Sequence, residues 1–224
     1  LSSTTEGCHL RMSLEDMRWD LRSPLVGAFN ASNLLAVQAV ALEMGIDPDA
    51  FKALESFTGV SGRLERVDNP QGLSVFVDYA HTPDALAQAL RALRPVAAAR
   101  GGQLWCVFGC GGDRDAGKRP LMGAVAQQHA DWVVVTSDNP RSEEPVAILH
   151  QILQGTIAGE TVRAQPDRAA AIALAIGEAD AADVVLIAGK GHEDYQETAG
   201  VRRPFDDMAQ AQAALTARGA STWA

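Results

Sequence analysis

Four short apolar runs in the later part of the sequence constrain the fold more than any other feature. They cover residues 73–78, 104–108, 132–136 and 184–188, and each has the length of one strand buried on both faces of a sheet. Helical patterns separate or follow them, over residues 83–93, 118–129, 146–157, 168–176 and 206–217. Strands that alternate with helices predict an α/β fold, with a mostly parallel sheet and helices on both faces.

The first 58 residues show a different pattern. Apolar positions at helical spacing predict a helix within residues 31–44, and Gly45 is a typical residue to end it. Asp47 is a candidate cap for a second short helix over residues 48–57. Small, flexible residues at 58–62 then mark a boundary, so we predict one domain over residues 1–58 and another over 59–224. The second domain is predicted to begin with a hairpin, residues 63–68 and 73–78, turning at 69–72.

Composition excludes several classes of protein. The net charge of −9 argues against a general nucleic-acid binder or a protein of anionic membranes, because both require a positive field. Residues 1–5 lack the features of a signal peptide, and the chain is predicted to be cytoplasmic. The three cysteines, Cys8, Cys106 and Cys110, form no Cys-x-x-Cys pair, so neither a disulfide framework nor a zinc site is expected. Cys106 and Cys110 are predicted to be core residues.

Polar residues follow each of the four apolar runs, at 79–84, 109–115, 138–141 and 189–193. Parallel strands bring their carboxyl ends to one edge of the sheet, so we expect these loops to converge on one ligand site. Arg141 follows the Asn139-Pro140 turn at the end of the third run. An arginine fork at that position predicts a ligand that carries a carboxylate.

Residues 112–118 match the first seven positions of a phosphate-binding P-loop, but we interpret the match as coincidental. Arg119 occupies the eighth position, where the motif needs a hydroxyl for magnesium, and Asp113 and Asp115 would repel phosphates. Lys118 and Arg119 stand where a helix should begin, which is unfavourable for cations and suggests an anion nearby; two solvated side chains are the alternative. His81 and His192 are interpreted as hydrogen-bonding groups, and no metal site is predicted.

Six linked motifs resemble the Mur ligase family, in the right order from Gly27 to about residue 207. They are Gly27-x-Phe29-Asn30-x-x-Asn33, Gly62-Arg63-Leu64-Glu65, residues 78–84, residues 109–120, Asp138-Asn139-Pro140-Arg141 and Gly189-Lys190-Gly191-His192-Glu193. The resemblance implies three-domain enzymes, whose domains bind a UDP-linked substrate, ATP and the incoming amino acid. Residues 1–58 resemble the end of the ATP-binding domain, and the rest resembles the Rossmann-like third domain.

The resemblance also implies an activity: ATP-dependent amide formation that adds meso-diaminopimelate to a UDP-N-acetylmuramoyl dipeptide in cell-wall synthesis, through an acyl phosphate. It implies ATP and Mg²⁺ as cofactors, bound mainly upstream of this chain, and a monomer. A diaminopimelate site is implied at seven positions: Arg114, Asp138, Asn139, Pro140, Arg141, Gly189 and Glu193. Contacts to ATP are implied at five: Asn30, Asn33, Arg63, Asp78 and His81. No catalytic residue is assigned within this chain, and the chain alone is expected to be inactive.

Two alternatives remain open from the residues. A sibling ligase that adds lysine would need no receptor for a second carboxylate, and Arg141 argues against it. A stand-alone amino-acid-binding module would be consistent with the lack of a working P-loop.

Overall fold

The computed structural model describes residues 2–4, 7–14, 17–69 and 72–221. The chain divides into two compact units, Leu1–Val60 and Ser61–Ala224. The boundary between the units falls within residues 58–62, while the assignment of each unit to a domain of a larger enzyme stays a prediction. In the described part of the chain, no helix is long and apolar enough to cross a membrane.

The first unit contains a three-stranded antiparallel sheet followed by two helical segments. Strands β1 (Ser2–Thr4), β2 (Gly7–Leu14) and β3 (Met17–Ser23) pair in that order. Helix α1 (Ala28–Glu43) confirms the predicted helix, and Pro48–Ser56 forms a 3₁₀ helix capped by Asp47. Leu10, Leu21 and Leu34 pack in the small core of this unit. The sequence analysis predicted the two helical segments but not this sheet.

The second unit is built on a six-stranded sheet. Its strands are β4 (Glu65–Arg66), β5 (Ser74–Asp78), β6 (Leu104–Phe108), β7 (Trp132–Val135), β8 (Val162–Ala164) and β9 (Val184–Ala188). The spatial order is β4-β5-β9-β6-β7-β8, and every pair is parallel except the antiparallel pair β4 and β5. This confirms the mostly parallel sheet and the hairpin at its start. Pro70 and Gln71 of the predicted turn lie outside the described residues.

Helices cover the sheet, as predicted from the alternating pattern. They are α2 (Pro83–Arg100), α3 (Lys118–His129), α4 (Pro145–Leu153), α5 (Arg168–Glu178) and α6 (Asp207–Ser221). Helices α5 and α6 pack on a cluster that includes Val75, Val107 and Ile187, side chains that alternate along their strands. The four predicted strands are almost completely buried, which explains why they read as continuous apolar runs.

Side-chain caps fix where two of these helices begin. Thr82 accepts a hydrogen bond from the amide of Ala85 at the start of α2, and Asp167 accepts one from Ala170 at the start of α5. Gly101, with a left-handed backbone, ends α2. The loop between β5 and α2 therefore runs from a buried strand end to a capped helix start.

A second hairpin, which the sequence analysis did not predict, follows the sheet. It consists of β10 (Tyr195–Thr198) and β11 (Val201–Pro204), paired antiparallel. Its residues are half-buried or exposed and largely polar, so they lack the apolar run that reveals a core strand. Strand β8 was missed because it has only three residues and none is buried.

Candidate functional site

The structure brings the four predicted loops together at the carboxyl edge of the sheet, because β5, β9, β6 and β7 are consecutive neighbours there. A Cβ atom placed on Gly191 would lie 2.7 Å from Cβ of Tyr79, and one on Gly189 would lie 2.7 Å from Oδ2 of Asp138. Lys118 Nζ donates to the carbonyl of His81 at 2.8 Å. The loops form one continuous rim, as the parallel topology requires.

Arg141 lies against the glycine loop that follows β6. Its Nη1 donates to the carbonyl of Gly112 at 2.7 Å. A Cβ atom on Gly111 would lie 2.8 Å from this Nη1 and 3.8 Å from Cγ of Arg114, so the two arginines flank one glycine. Arg114 is exposed and Arg141 is half-buried. The rim thus presents two neighbouring arginine side chains, and within the described residues no hydrogen bond engages Nε or Nη2 of Arg141.

Asn139, Lys190 and Glu193 form a tight polar network beside these arginines. Asn139 donates through Nδ2 to Glu193 Oε2 at 2.8 Å, and Lys190 Nζ lies 3.1 Å from the same oxygen. Oδ1 of Asn139 accepts from Lys190 Nζ and from the amide of Glu197. Asn139 and Lys190 are buried and Glu193 is partly exposed. The network therefore engages Oε2 of Glu193 and leaves Oε1 as the oxygen available to a ligand.

Asp138 is buried beneath this network. Its Oδ1 accepts from the amide of Asn139 at 2.7 Å. Burial raises the pKa of the Asp138 carboxyl, while the charges of Arg168 and Lys190 oppose that shift. With 8 % exposure, this side chain can do little more than support the loop. Asp138 and Asn139 are thus placed as the support of the site, whereas Arg114, Arg141 and Glu193 reach its surface.

A fully buried ion pair ties two rim loops to the helices below. Arg168 donates through Nε and Nη2 to both carboxylate oxygens of Asp207, each at 2.7 Å. It also donates to the carbonyls of Ser137 and Ala188, the residues just before Asp138 and Gly189. Both charged side chains have 0 % exposure. Neither residue was singled out from the sequence, because their partners are distant along the chain.

Arg119 corrects one expectation from the sequence. The anion expected near Lys118 and Arg119 is internal: Arg119 donates to both oxygens of Glu143 at 2.8 Å and is completely buried. The interpretation of Arg119 as a solvated side chain was therefore wrong. The Arg119 side chain holds the pKa of Glu143 at about 2. Because Glu143 Oε1 also accepts from the amide of Asp113, the pair fastens the glycine loop to the segment after Arg141.

The loop after β5 carries an aromatic cluster. The ring of Tyr79 lies 4.6 Å from that of His81 and 5.3 Å from that of His192, and the Arg63 guanidinium lies 5.0 Å from its centre. Nδ1 of His81 donates to the carbonyl of Tyr79. His81 and His192 therefore lie beside the Tyr79 ring. Among the described residues, no group of three or more His, Cys, Asp or Glu side chains could hold a metal ion.

Three of the residues predicted to contact ATP lie together on the rim of the second unit. Asp78 accepts from the amides of Leu64 and Ala80, which places it next to Arg63 and His81 on the rim. Burial raises the pKa of Asp78. Asn30 and Asn33 belong to the first unit, where Asn30 Nδ2 donates to the carbonyl of Val26. Their contacts to ATP stay predictions.

Cys106 and Cys110 are buried and free, as predicted for core residues. Burial raises the pKa of both thiols, that of Cys110 to about 12. A thiol with such a pKa is almost entirely protonated at neutral pH, so neither side chain is a ready nucleophile.

Comparisons with known proteins identify close relatives. The family model described as "Mur ligase, glutamate ligase domain" matches residues 62–191. UDP-N-acetylmuramoyl-L-alanyl-D-glutamate–2,6-diaminopimelate ligase of Acidovorax sp. (strain JS42) is 60 % identical over 218 residues, which are 97 % of this chain and 42 % of the relative. The enzyme of the same name from Pseudomonas aeruginosa (strain PAO1) is 54 % identical over 198 residues, 88 % of this chain and 40 % of the relative. The chain thus spans less than half of these relatives.

Solved structures agree with this result. A structure of UDP-N-acetylmuramoyl-L-alanyl-D-glutamate–2,6-diaminopimelate ligase matches with a TM-score of 0.74 and 41 % identity, covering 97 % of this chain and 44 % of that one. The UDP-N-acetylmuramate-alanine ligase of Thermotoga maritima matches with a TM-score of 0.68 and 21 % identity, covering 98 % of this chain and 45 % of that one, which is a likeness of fold alone.

Proposed function

The chain belongs to the Mur ligase family, and from this premise we propose that it is part of an ATP-dependent ligase that adds meso-diaminopimelate to UDP-N-acetylmuramoyl-L-alanyl-D-glutamate in peptidoglycan synthesis. The relatives at 60 % and 54 % identity are named for that reaction. In this proposal, residues 1–58 are the end of the ATP-binding domain and residues 59–224 are the domain that binds the amino acid.

The pair of arginines around Gly111 is the observation that carries this proposal. Diaminopimelate has a carboxylate and an amine at each end, whereas lysine lacks the distal carboxylate. Among the described residues, no hydrogen bond engages Nε or Nη2 of Arg141, and a guanidinium binds a carboxylate through two parallel hydrogen bonds. Glu193 Oε1, on the neighbouring loop, suits an ammonium group. A rim with two cations and one accessible carboxylate oxygen matches an amino acid with an additional carboxylate.

The proposed reaction proceeds through an acyl phosphate. The γ-phosphoryl group of ATP is transferred to the D-glutamate carboxylate, which releases ADP. The amine of diaminopimelate then attacks the acyl carbon, phosphate leaves, and an amide bond forms. This chain would supply the rim that orients the amine and its carboxylates, which lowers the entropic cost of the attack. Pro140 and Gly189 shape that rim, since Gly189 has a left-handed backbone and no room for a side chain.

We propose that the main binding groups for ATP and Mg²⁺ correspond to the part of the relatives that this chain does not cover. Glycines 112 and 117 with Lys118 resemble a P-loop, yet Arg119 is buried against Glu143 and offers no hydroxyl. Arg63, Asp78 and His81 are proposed to contact the nucleotide from this side, together with Asn30 and Asn33. ATP and UDP-linked precursors are cytoplasmic, so the reaction is assigned to the cytoplasm, where free thiols such as these persist.

The test uses the full-length protein that contains this chain. It is incubated with ATP, Mg²⁺ and UDP-N-acetylmuramoyl-L-alanyl-D-glutamate, together with either meso-diaminopimelate or lysine. We expect phosphate release and a tripeptide product of the correct mass with diaminopimelate, at a far higher kcat/KM than with lysine. A preference for lysine would identify the sibling ligase instead, and binding of the amino acid without any product would identify a binding module.

A further inference from the structure

Arg141 is held in an unusual backbone conformation. Its φ is +53°, in the left-handed region that L side chains rarely adopt. Such a conformation in a residue with a long side chain persists only when the surrounding structure enforces it, and it is concentrated at binding and active sites. The contacts that enforce it at Arg141 are therefore informative about the site.

The hairpin of β10 and β11 supplies those contacts. The amide of Arg141 donates to the carbonyl of Glu197 at 3.0 Å, and the carbonyl of Arg141 accepts from the amide of Ala199 at 2.6 Å. These bonds form an isolated bridge between Arg141 and Thr198. Both backbone groups of Arg141 are thus fixed by one edge of the hairpin.

The same edge also holds the first two residues of the loop that carries Arg141. Gln196 Nε2 donates to the carbonyl of Asp138 at 2.8 Å, and the amide of Glu197 donates to Oδ1 of Asn139 at 2.9 Å. At the base of the hairpin, the ring centre of Tyr195 lies 5.4 Å from Nζ of the buried Lys190. The hairpin therefore contacts nearly every residue of the loop that carries Arg141.

The hairpin contributes little to the core, because every residue of β11 is exposed and every residue of β10 is only half-buried. Its turn is well formed, since Ala199 and Gly200 both have positive φ, as in the two-residue turns that suit tight hairpins. The hairpin thus lies outside the core but is hydrogen-bonded along one edge to the loop that carries Arg141. It is therefore better suited to position that loop than to stabilise the domain.

We propose that the hairpin of β10 and β11 is the specificity-positioning element of the rim: by fixing the left-handed backbone of Arg141, it directs the guanidinium to the carboxylate that distinguishes diaminopimelate from lysine. Ala199 and Gln196 are positioning residues in this proposal, because they act through Arg141 and Asp138. The inference rests on the proposed function and adds the element on which amino-acid choice depends.

The test compares two substitutions at Ala199 in the full-length protein. Ala199→Pro removes the amide that donates to Arg141 and cannot adopt a positive φ. Ala199→Asn keeps the amide and tolerates that φ, so it is the matched control. Ala199→Pro loses at least the hydrogen bond to the carbonyl of Arg141, so the left-handed backbone of Arg141 is no longer enforced. We therefore expect the diaminopimelate-to-lysine ratio of kcat/KM to fall about tenfold in this variant. The KM for ATP and the melting temperature should change little, and Ala199→Asn should match the wild type.

A second substitution tests the contact from another side. Gln196→Met keeps the size of the side chain but cannot donate to Asp138, so the ratio should fall in the same direction by a smaller factor. If Ala199→Pro does not fold, the ratio measured for Gln196→Met decides the test. An unchanged ratio in a folded Ala199→Pro or Gln196→Met protein would overturn the inference. A wild type that does not ligate diaminopimelate would instead refute the proposed function, before any variant is compared.

Discussion

At the scale of single residues, three buried cations hold the rim in place. Arg119, Arg168 and Lys190 are each at most 1 % exposed. Their partners are Glu143, 24 residues along the chain, Asp207, 39 residues along, and Glu193, three residues along. Arginine and lysine side chains are usually exposed, so sequence alone predicts a surface position for them. The polar rim itself was predictable from the residues that follow each strand, but which cations support it depends on tertiary pairing.

The first prediction concerns the pH dependence of the Glu143 contact. The pKa of Glu143 falls from an ordinary 4.5 to about 2 in the folded chain, chiefly through its hydrogen bonds to Arg119. A carboxyl group with a lowered folded pKa stabilises fully above its unfolded pKa, and that contribution disappears as the pH falls through the folded value. We expect the difference in melting temperature between wild type and Glu143→Gln to be largest near neutral pH and to shrink between pH 4.5 and about 2.

Thermal unfolding of both proteins across that range provides the measurement. Glu144→Gln, which removes the exposed neighbouring carboxylate, is the control for a change in net charge. A difference between wild type and Glu143→Gln that stays constant down to the acid end of the range would show that the ion pair does not stabilise the fold.

The second prediction concerns Arg141 itself. Loss of a bidentate contact to a desolvated carboxylate costs on the order of 2 to 5 kcal/mol, so Arg141→Ala in the full-length protein should lower kcat/KM for diaminopimelate by well over tenfold. Use of lysine should change far less, because lysine has no carboxylate at that position. Arg163→Ala, at a partly exposed ion pair with Glu178 that lies outside the rim, is the control. If the folded Arg141→Ala protein keeps the wild-type ratio, Arg114 becomes the discriminating cation, since Lys190 is already committed to Glu193.

At the scale of elements, burial decided which parts could be predicted. Strands β5, β6, β7 and β9 are buried on both faces and therefore appear as apolar runs, and the helices between them follow from their spacing. The two hairpin strands β10 and β11 expose polar side chains and depend on bonds to a distant loop, which no local pattern encodes. The same is true of the antiparallel strands in the first unit, whose exposed positions interrupt the apolar signal.

The third prediction concerns the connection between α5 and α6. Removing one member of a buried ion pair leaves an unpaired charge, so Asp207→Ala should lower the free energy of unfolding by about 3 to 5 kcal/mol. Arg168 would also lose its alignment to the carbonyls of Ser137 and Ala188. Glu178→Ala removes the exposed partner of Arg163 and should cost less than about 1 kcal/mol. Denaturant unfolding of the two variants distinguishes them, and equal costs would contradict the assigned role.

At the scale of the whole molecule, the chain combines two compact units of unequal size. The units divide within residues 58–62, whereas the assignment of each unit to a domain of a larger enzyme came only through motif resemblance and stays a prediction. Local patterns describe how a chain folds near each residue. They do not show which substrate another part of the protein delivers to the rim.

The fourth prediction is that this chain alone does not form amide bonds. Its P-loop-like segment lacks the hydroxyl that would bind magnesium, and Arg119 in that place is buried. The chain incubated with ATP, Mg²⁺, UDP-N-acetylmuramoyl-L-alanyl-D-glutamate and diaminopimelate should yield no tripeptide, whereas the full-length protein assayed in parallel should. Product formed by the chain alone would require a new interpretation of residues 112–118.

The order of strands in the sheet has a consequence for the time at which the domain can form during synthesis. Strand β9, residues Val184–Ala188, lies between β5 and β6, which begin 110 and 80 residues earlier in the chain, at Ser74 and Leu104. Until β9 leaves the ribosome, those two strands lack the neighbour that joins them. Pairing over such distances along the chain is slow, because a long loop must close first. Until β9 is made, the apolar strands β5 and β6 of the nascent chain therefore stay incompletely paired and are prone to aggregate.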